Sequence, residues 1–186
     1  SLMGDILREP NLRLLCHSDE FEDLLADLAL QRFDIVLADR PAPSHASVRV
    51  YSHVLSSSPL AWYAPPALQA AARRQFPQSL AQVPVLLPTT HGAARALLDH
   101  WFERQGIRPR VVGEFEDSAL LKTFGASGMG VFPAADVVHD DLVERYRVKR
   151  IGPCEGVEEH FYAIGTEKKV QHPLVQRLLP GLPGTA

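Results

Sequence analysis

Apolar residues along the chain fall into two periods, and the periods alternate. Leu12-Arg-Leu-Leu-Cys16 is a short apolar run and predicts a strand. Phe21, Leu24, Leu25 and Leu28 then recur at i, i+3, i+4 and i+7, one face of a helix. Asp19, with Glu22 three residues on, has the spacing of a capping box at its start. Ile35-Val-Leu-Ala38 predicts a second buried strand, closed by Pro41 and Pro43. Strand, helix and strand in that order predict a βαβ unit of a parallel sheet.

Val48, Val50 and Val54 share one face of a predicted strand through Leu55. Ser56-Ser-Ser-Pro59 interrupts the pattern and is read as a hinge. The alternation then resumes. Leu60 to Ala64 predicts a strand, and Pro65-Pro66 opens an alanine-rich helix. Val85 to Leu87 predicts a strand, followed by a helix carrying Ala94, Leu97, Leu98, Trp101 and Phe102 and closed by Gly106. Val111-Val112 begins a strand; Asp117 or Ser118 caps a helix with Leu120, Leu121 and Phe124, ended by Gly128. Val131-Phe132 predicts a strand, Ala134 to Tyr146 a helix, Val148 to Ile151 and Phe161 to Ile164 strands, and Pro173 to Leu179 a last helix. Glu155-Gly156 offers a second crossing between the two sets of elements. The expected fold class is therefore α/β, two Rossmann-like subdomains joined by two crossings, with ligands beyond the strand C-termini.

Composition adds boundaries. The chain has 186 residues, 46% hydrophobic and 22% charged, an ordinary globular mixture. Its net charge of −3 lacks the basic excess of a nucleic-acid binder. No apolar run reaches the ~20 residues of a membrane span. Cys16 and Cys154 form no metal-type spacing; a reduced, intracellular protein is the simplest reading, with a single bridge between them the alternative. The residues show no internal repeat, and the Pro/Gly-rich end from Pro180 is expected to fray.

Each candidate chemical motif has a plainer reading. Gly125-Ala-Ser-Gly-Met-Gly130 matches neither GxSxG nor GxGxxG, and reads as a helix end turning into a strand. The eight histidines show no metal pairing. His91, in Thr89-Thr90-His91-Gly92, lies after a strand and before a helix. Hydroxyls, an imidazole and the helix N-terminus there could hold an anion; the plainer reading is that Thr90 caps the helix. Glu114, Glu116 and Asp117 precede another helix, where capping is the simplest role and a hard cation the alternative. Arg145, Arg147, Lys149 and Arg150 alternate as on a solvated strand edge. An enzyme reading would rest on His91 and Asp117, without a nucleophile and its base, so no catalytic residue and no cofactor is expected.

Several stretches carry a family resemblance. GEFEDSALLKTFGA at 113–126 and QHPLVQR at 171–177 are the specific ones. Leu12 to His17, Phe33-Asp34, Glu158-Glu159 and Ala163-Ile164 add to them. Together they resemble the effector-binding domain of LysR-type regulators, in the branch that controls sodium/proton antiporters, over nearly the whole chain. The resemblance implies a type 2 periplasmic-binding-protein-like fold, with residues 5–58 and 158–182 as the first subdomain and 59–157 as the second. It implies a small-molecule or ion effector in the cleft, a homo-oligomer, and DNA bound only through a winged helix-turn-helix outside this chain. It also implies that the first lobe lacks its first strand and helix, since Leu12 matches the family's second strand. The effector-binding residues expected are Ser18 and Asp39 from one lobe and Thr89, Thr90, His91 and Phe132 from the other. A periplasmic-type solute-binding protein of the same fold is the rival expectation.

Overall fold

A computed structural model describes residues 12–44 and 49–179. Val48 and the tail from Pro180 lie outside the described residues. In chain order the elements are α1 (Phe21–Ala29), β1 (Val36–Ala38), β2 (Tyr51–Ala64), α2 (Gln69–Arg73), β3 (Pro84–Pro88), α3 (Ala93–Gln105), β4 (Arg110–Phe115), α4 (Ser118–Ala126), β5 (Phe132–Ala135), α5 (His139–Tyr146), β6 (Lys149–Gly165), α6 (Glu167–Val170) and α7 (Pro173–Leu178). The chain separates into two compact units, Ser1–Ser57 with His160–Ala186, and Ser58–Glu159.

In the first unit, β1 pairs antiparallel with β6, Val36 opposite Ile164 and Ala38 opposite Tyr162. The helical stripe of α1 packs Leu28 onto Val36 and Ile164, with Phe21, Leu24 and Leu25 beside them. Ala163, Val170 and Leu179 form a second cluster with Ile35, Leu55 and Val175. Alternate residues of the two strands thus serve separate clusters, as the period of two requires.

Three expectations fail in this unit. Leu12 to Cys16 forms no strand, and Leu14 and Leu15 are 43% and 66% exposed. An extended apolar run becomes a strand only where a neighbour pairs with it, and no described strand lies against this one. The βαβ unit is therefore absent, and β1 takes an antiparallel partner from the far end of the chain. The capping box is not formed either: Glu20 is the N-cap, and the Asp19 carboxylate accepts from the Glu20 amide at 2.9 Å.

In the second unit, β3 and β4 run parallel, with Pro84 opposite Arg110 and Pro88 opposite Phe115. Leu86 N–H donates to the Val131 carbonyl and Val131 N–H to the Pro84 carbonyl, both at 2.8 Å, which ties β3 to the residue preceding β5. β5 pairs antiparallel with the end of β2, Tyr63 opposite Phe132. Residues Leu60 to Ala64 are all buried, so this strand end is covered on both faces. Trp62 meets Trp101 and Phe102 of α3, with ring centroids 5.8 and 5.5 Å away. Tyr63 faces the opposite layer, in a cluster with Leu121 of α4 and Leu142 of α5.

The serine-proline break is not a break. β2 runs through Ser56 to Pro59 as one strand of 14 residues, and β6 runs through Glu155-Gly156 as one of 17. Ser58 is buried, yet its hydroxyl is satisfied: it accepts from Val137 N–H at 2.9 Å and donates to the Pro59 carbonyl at 3.3 Å. Polarity at a buried position therefore marks a hydrogen bond and not a loop. The predicted helix from Ala134 is also shortened. Ala134 and Ala135 belong to β5, a 3-10 turn follows at Asp136–Val138, and α5 begins at His139.

Candidate functional site

β3 and β4 end side by side, because Pro88 and Phe115 are partners in a parallel register. The loops beyond them are held together by Thr89 N–H, which donates to the Phe115 carbonyl at 3.0 Å. This places Thr89, Thr90 and His91 beside Glu116 and Asp117, at the strand C-termini where open α/β sheets take ligands. His91 Nδ1 and Glu116 Oε1 lie 3.2 Å apart, with both side chains largely exposed. Thr90 does not cap α3. The N-cap is Gly92, extended at φ −79° and ψ 142°, and it offers no side chain. Asp117 does cap α4: its Oδ1 accepts from Ala119 N–H at 2.7 Å and Leu120 N–H at 2.8 Å.

The organising cation of this end is Arg95, in the first turn of α3. Its Nη1 donates to the Pro88 carbonyl at 2.9 Å and to Glu114 Oε1 at 2.6 Å. Its Nε reaches Asp99 Oδ1 at 2.9 Å. Burial opposes the charge, but the hydrogen bonds that the guanidinium donates to Asp99 and Glu114 outweigh it and raise the pKa. Of the three acidic residues noted in the sequence, Glu114 thus anchors a strand end, Asp117 caps a helix, and Glu116 meets the imidazole.

The other expected residues lie on other segments. Ser18 is exposed in the segment before α1. Asp39 follows β1 directly, and its Oδ1 accepts from Arg40 Nε at 3.0 Å, while the Arg40 guanidinium sits 5.3 Å over the Phe21 ring. Both belong to the first unit. Phe132 is fully buried inside the second unit, stacked 6.1 Å from Tyr63.

A second polar cluster was not legible as such. Arg150 donates through Nε and Nη2 to the two Asp136 oxygens at 3.0 and 2.9 Å. Tyr63 O–H donates to Asp136 Oδ1 at 2.8 Å, and His139 Nδ1 lies 3.2 Å from the same hydroxyl. Burial and the Asp136 carboxylate together push the Tyr63 phenol pKa up. The basic run is therefore not one solvated edge. Arg145 lies on α5 with Asp141 3.3 Å away, Arg147 is that helix's left-handed cap at φ 55°, and Arg150 is half-buried in its pair. The residues gave no signal of this cluster, since Asp136 falls inside the helix expected from Ala134.

Residues 6–180 match the family described as the LysR substrate binding domain. The transcriptional activator protein NhaR of Escherichia coli strain K12 is 30% identical over 169 residues, covering 90% of this chain and 54% of that protein. The chain thus spans about half the length of the curated relatives it matches. Among solved structures, the apo regulatory domain of HypT from Salmonella typhimurium superposes with a TM-score of 0.67 at 13% identity, over 87% of this chain and 78% of that one. The regulatory domain of Synechocystis CcmR, in complex with 2-PG, gives 0.66 at 14% identity, over 97% and 88%. These structures share the type 2 periplasmic-binding-protein-like fold, and the curated relatives are regulators and not enzymes. Since the match takes in nearly all 186 residues, the chain belongs to the LysR substrate binding domain family.

Proposed function

We propose that this chain is the sensing part of a cytoplasmic LysR-type transcription activator, and that the genes it controls are those of a sodium/proton antiporter or a related stress response. The observation carrying the reading is the 30% identity to NhaR along 90% of the chain. A homo-oligomer is part of the proposal. Val111 and Val112, on the edge strand β4, are each 38% exposed, and Leu120 and Phe124 on α4 are 53% and 45% exposed, apolar side chains that association would cover. DNA contact is assigned to a winged helix-turn-helix outside this sequence.

The residues proposed to bind the effector are Ser18, Asp39, Thr89, Thr90, His91 and Phe132. A small carboxylate is ranked above sodium. The two threonine hydroxyls and the glycine-capped start of α3 are donor-rich. Sodium would need oxygens, and Asp39, Glu116 and Asp117 are each engaged: Asp117 Oδ1 by two amides, Asp39 Oδ1 by Arg40 and Glu116 Oε1 3.2 Å from His91. Carboxylate ligands also occur on this fold, as in the effector domain of QuiR in complex with shikimate. A sodium response could then be indirect.

The test is transcriptional. The whole regulator is expressed in cells lacking it, and antiporter mRNA is measured with and without added sodium chloride, against potassium chloride at equal ionic strength. Induction by sodium that disappears without the regulator is expected. Equal mRNA with and without the regulator would contradict the gene assignment.

A further inference from the structure

The first unit carries a pocket at the end of β1 opposite to Asp39. Asp39 follows the strand's last residue, whereas the pocket gathers where the chain enters it. Leu28 and Gln31 from the end of α1, Phe33 before β1, and Thr166, Lys168, Lys169 and His172 after β6 line about 360 Å³. That volume lies in the range of small-molecule sites. Its apolar part is the buried Leu28 and the half-buried Phe33, whose ring also contacts His17 at 5.4 Å.

Among the described residues, the lining holds two lysines and a histidine but no carboxylate. Lys169 is paired with Asp34. Lys168 forms no ion pair among the described residues. His172 Nδ1 accepts from Leu174 N–H at 3.3 Å, so the ring's proton is on Nε2, a donor even in the neutral form. The Thr166 hydroxyl and the Gln31 amide add neutral donors.

We infer that this pocket is a second ligand site, taking a small amphipathic anion: a monocarboxylate whose short apolar tail lies on Leu28 and Phe33 while its oxygens meet Lys168, His172 and Thr166. An apolar floor alone would accept a neutral alcohol equally well. A basic rim alone would hold inorganic anions weakly against water. The two together select a carboxylate with a tail, through charge-assisted hydrogen bonds at one end and burial at the other.

The experiment titrates the full chain, with leucine and threonine methyls labelled, with potassium hexanoate, 1-hexanol and hexylamine hydrochloride at matched ionic strength, read by NMR. Hexanoate is expected to shift the Leu28 and Thr166 methyls saturably, and the other two probes are not. Lys168→Glu should weaken hexanoate about tenfold, the loss of one charge-assisted contact, and Thr90→Val should leave it unchanged. Equal shifts with hexanol, unmoved Leu28 and Thr166 methyls, no effect of Lys168→Glu, or loss of the shifts in Thr90→Val would each overturn the assignment.

Discussion

Arg95 holds Pro88 by its carbonyl oxygen, 2.9 Å from the guanidinium. Pro88 is the last residue of β3, and Thr89 to His91 follow it, so a side chain on α3 fixes the start of the proposed effector loop. The Arg95 side chain is only 14% exposed, whereas Glu114 and Asp99 are about half exposed and would rehydrate if it were removed. Arg95→Met is expected to cost about 1–2 kcal/mol, chiefly from the uncompensated Pro88 carbonyl. Amide exchange at Thr90 and His91 should quicken more than in α5. Urea melts and hydrogen exchange read both, and unchanged exchange at these two residues would deny Arg95 that role.

Gly125 has no room for a side chain. A Cβ there would stand 2.1 Å from Phe132 Cδ1, inside the core. Helix propensity alone would make Gly125→Ala stabilising by about 1 kcal/mol. Overpacking against a buried ring works the other way and is the larger effect, so a net loss of about 1–2 kcal/mol is expected. The sign of the change in melting temperature decides between them.

Asp136 contributes stability that depends on pH. Burial raises its pKa, but hydrogen bonds from Arg150 and Tyr63, with the Arg150 charge, bring it below the ordinary 3.8. A carboxylate depressed in the folded state stabilises above its unfolded pKa, and that stability is lost as pH falls through the folded value. Asp136→Asn should therefore be less stable than the natural protein by about 1–2 kcal/mol at pH 7. The gap should close below pH 3.8. Chemical melts from pH 7 downward test this; a gap constant with pH would contradict it.

The two cysteines should differ sharply in reactivity. Cys16 is exposed, while Cys154 is buried and its thiol is pushed up to about 12, mainly by that burial. The thiolate is the nucleophile, so at pH 8 a disulfide reagent should label Cys16 at once and Cys154 only after denaturant. Rapid labelling of Cys154 in the native protein would show that β6 opens there.

Elements with strong local signatures were legible from the residues. α1 follows the helical period, and α3 with its Gly106 cap at φ 65° and α4 under Asp117 follow the capping rules as well. Strand continuity was not. Ser56 to Pro59 has the composition of a turn, and only the Val137 amide, 79 positions along the chain, reveals why Ser58 can sit in a buried strand. Leu12 to Cys16 failed for the converse reason, since its pattern is that of a strand but pairing is a property of the neighbour. At the candidate site, the pairing of His91 with Glu116 depends on the β3–β4 register, which no local motif encodes. Arg95 carried one local signal, its spacing of four from Asp99.

A small anion, and not sodium, is proposed to be held at Thr89 to His91. The measurement is calorimetry on the whole chain, first with sodium against potassium at fixed ionic strength, then with a panel of small carboxylates. Saturable heat from a carboxylate, reduced in Thr90→Val, is the predicted result. Saturable heat for sodium only, abolished by Asp39→Asn and untouched by Thr90→Val, would contradict it.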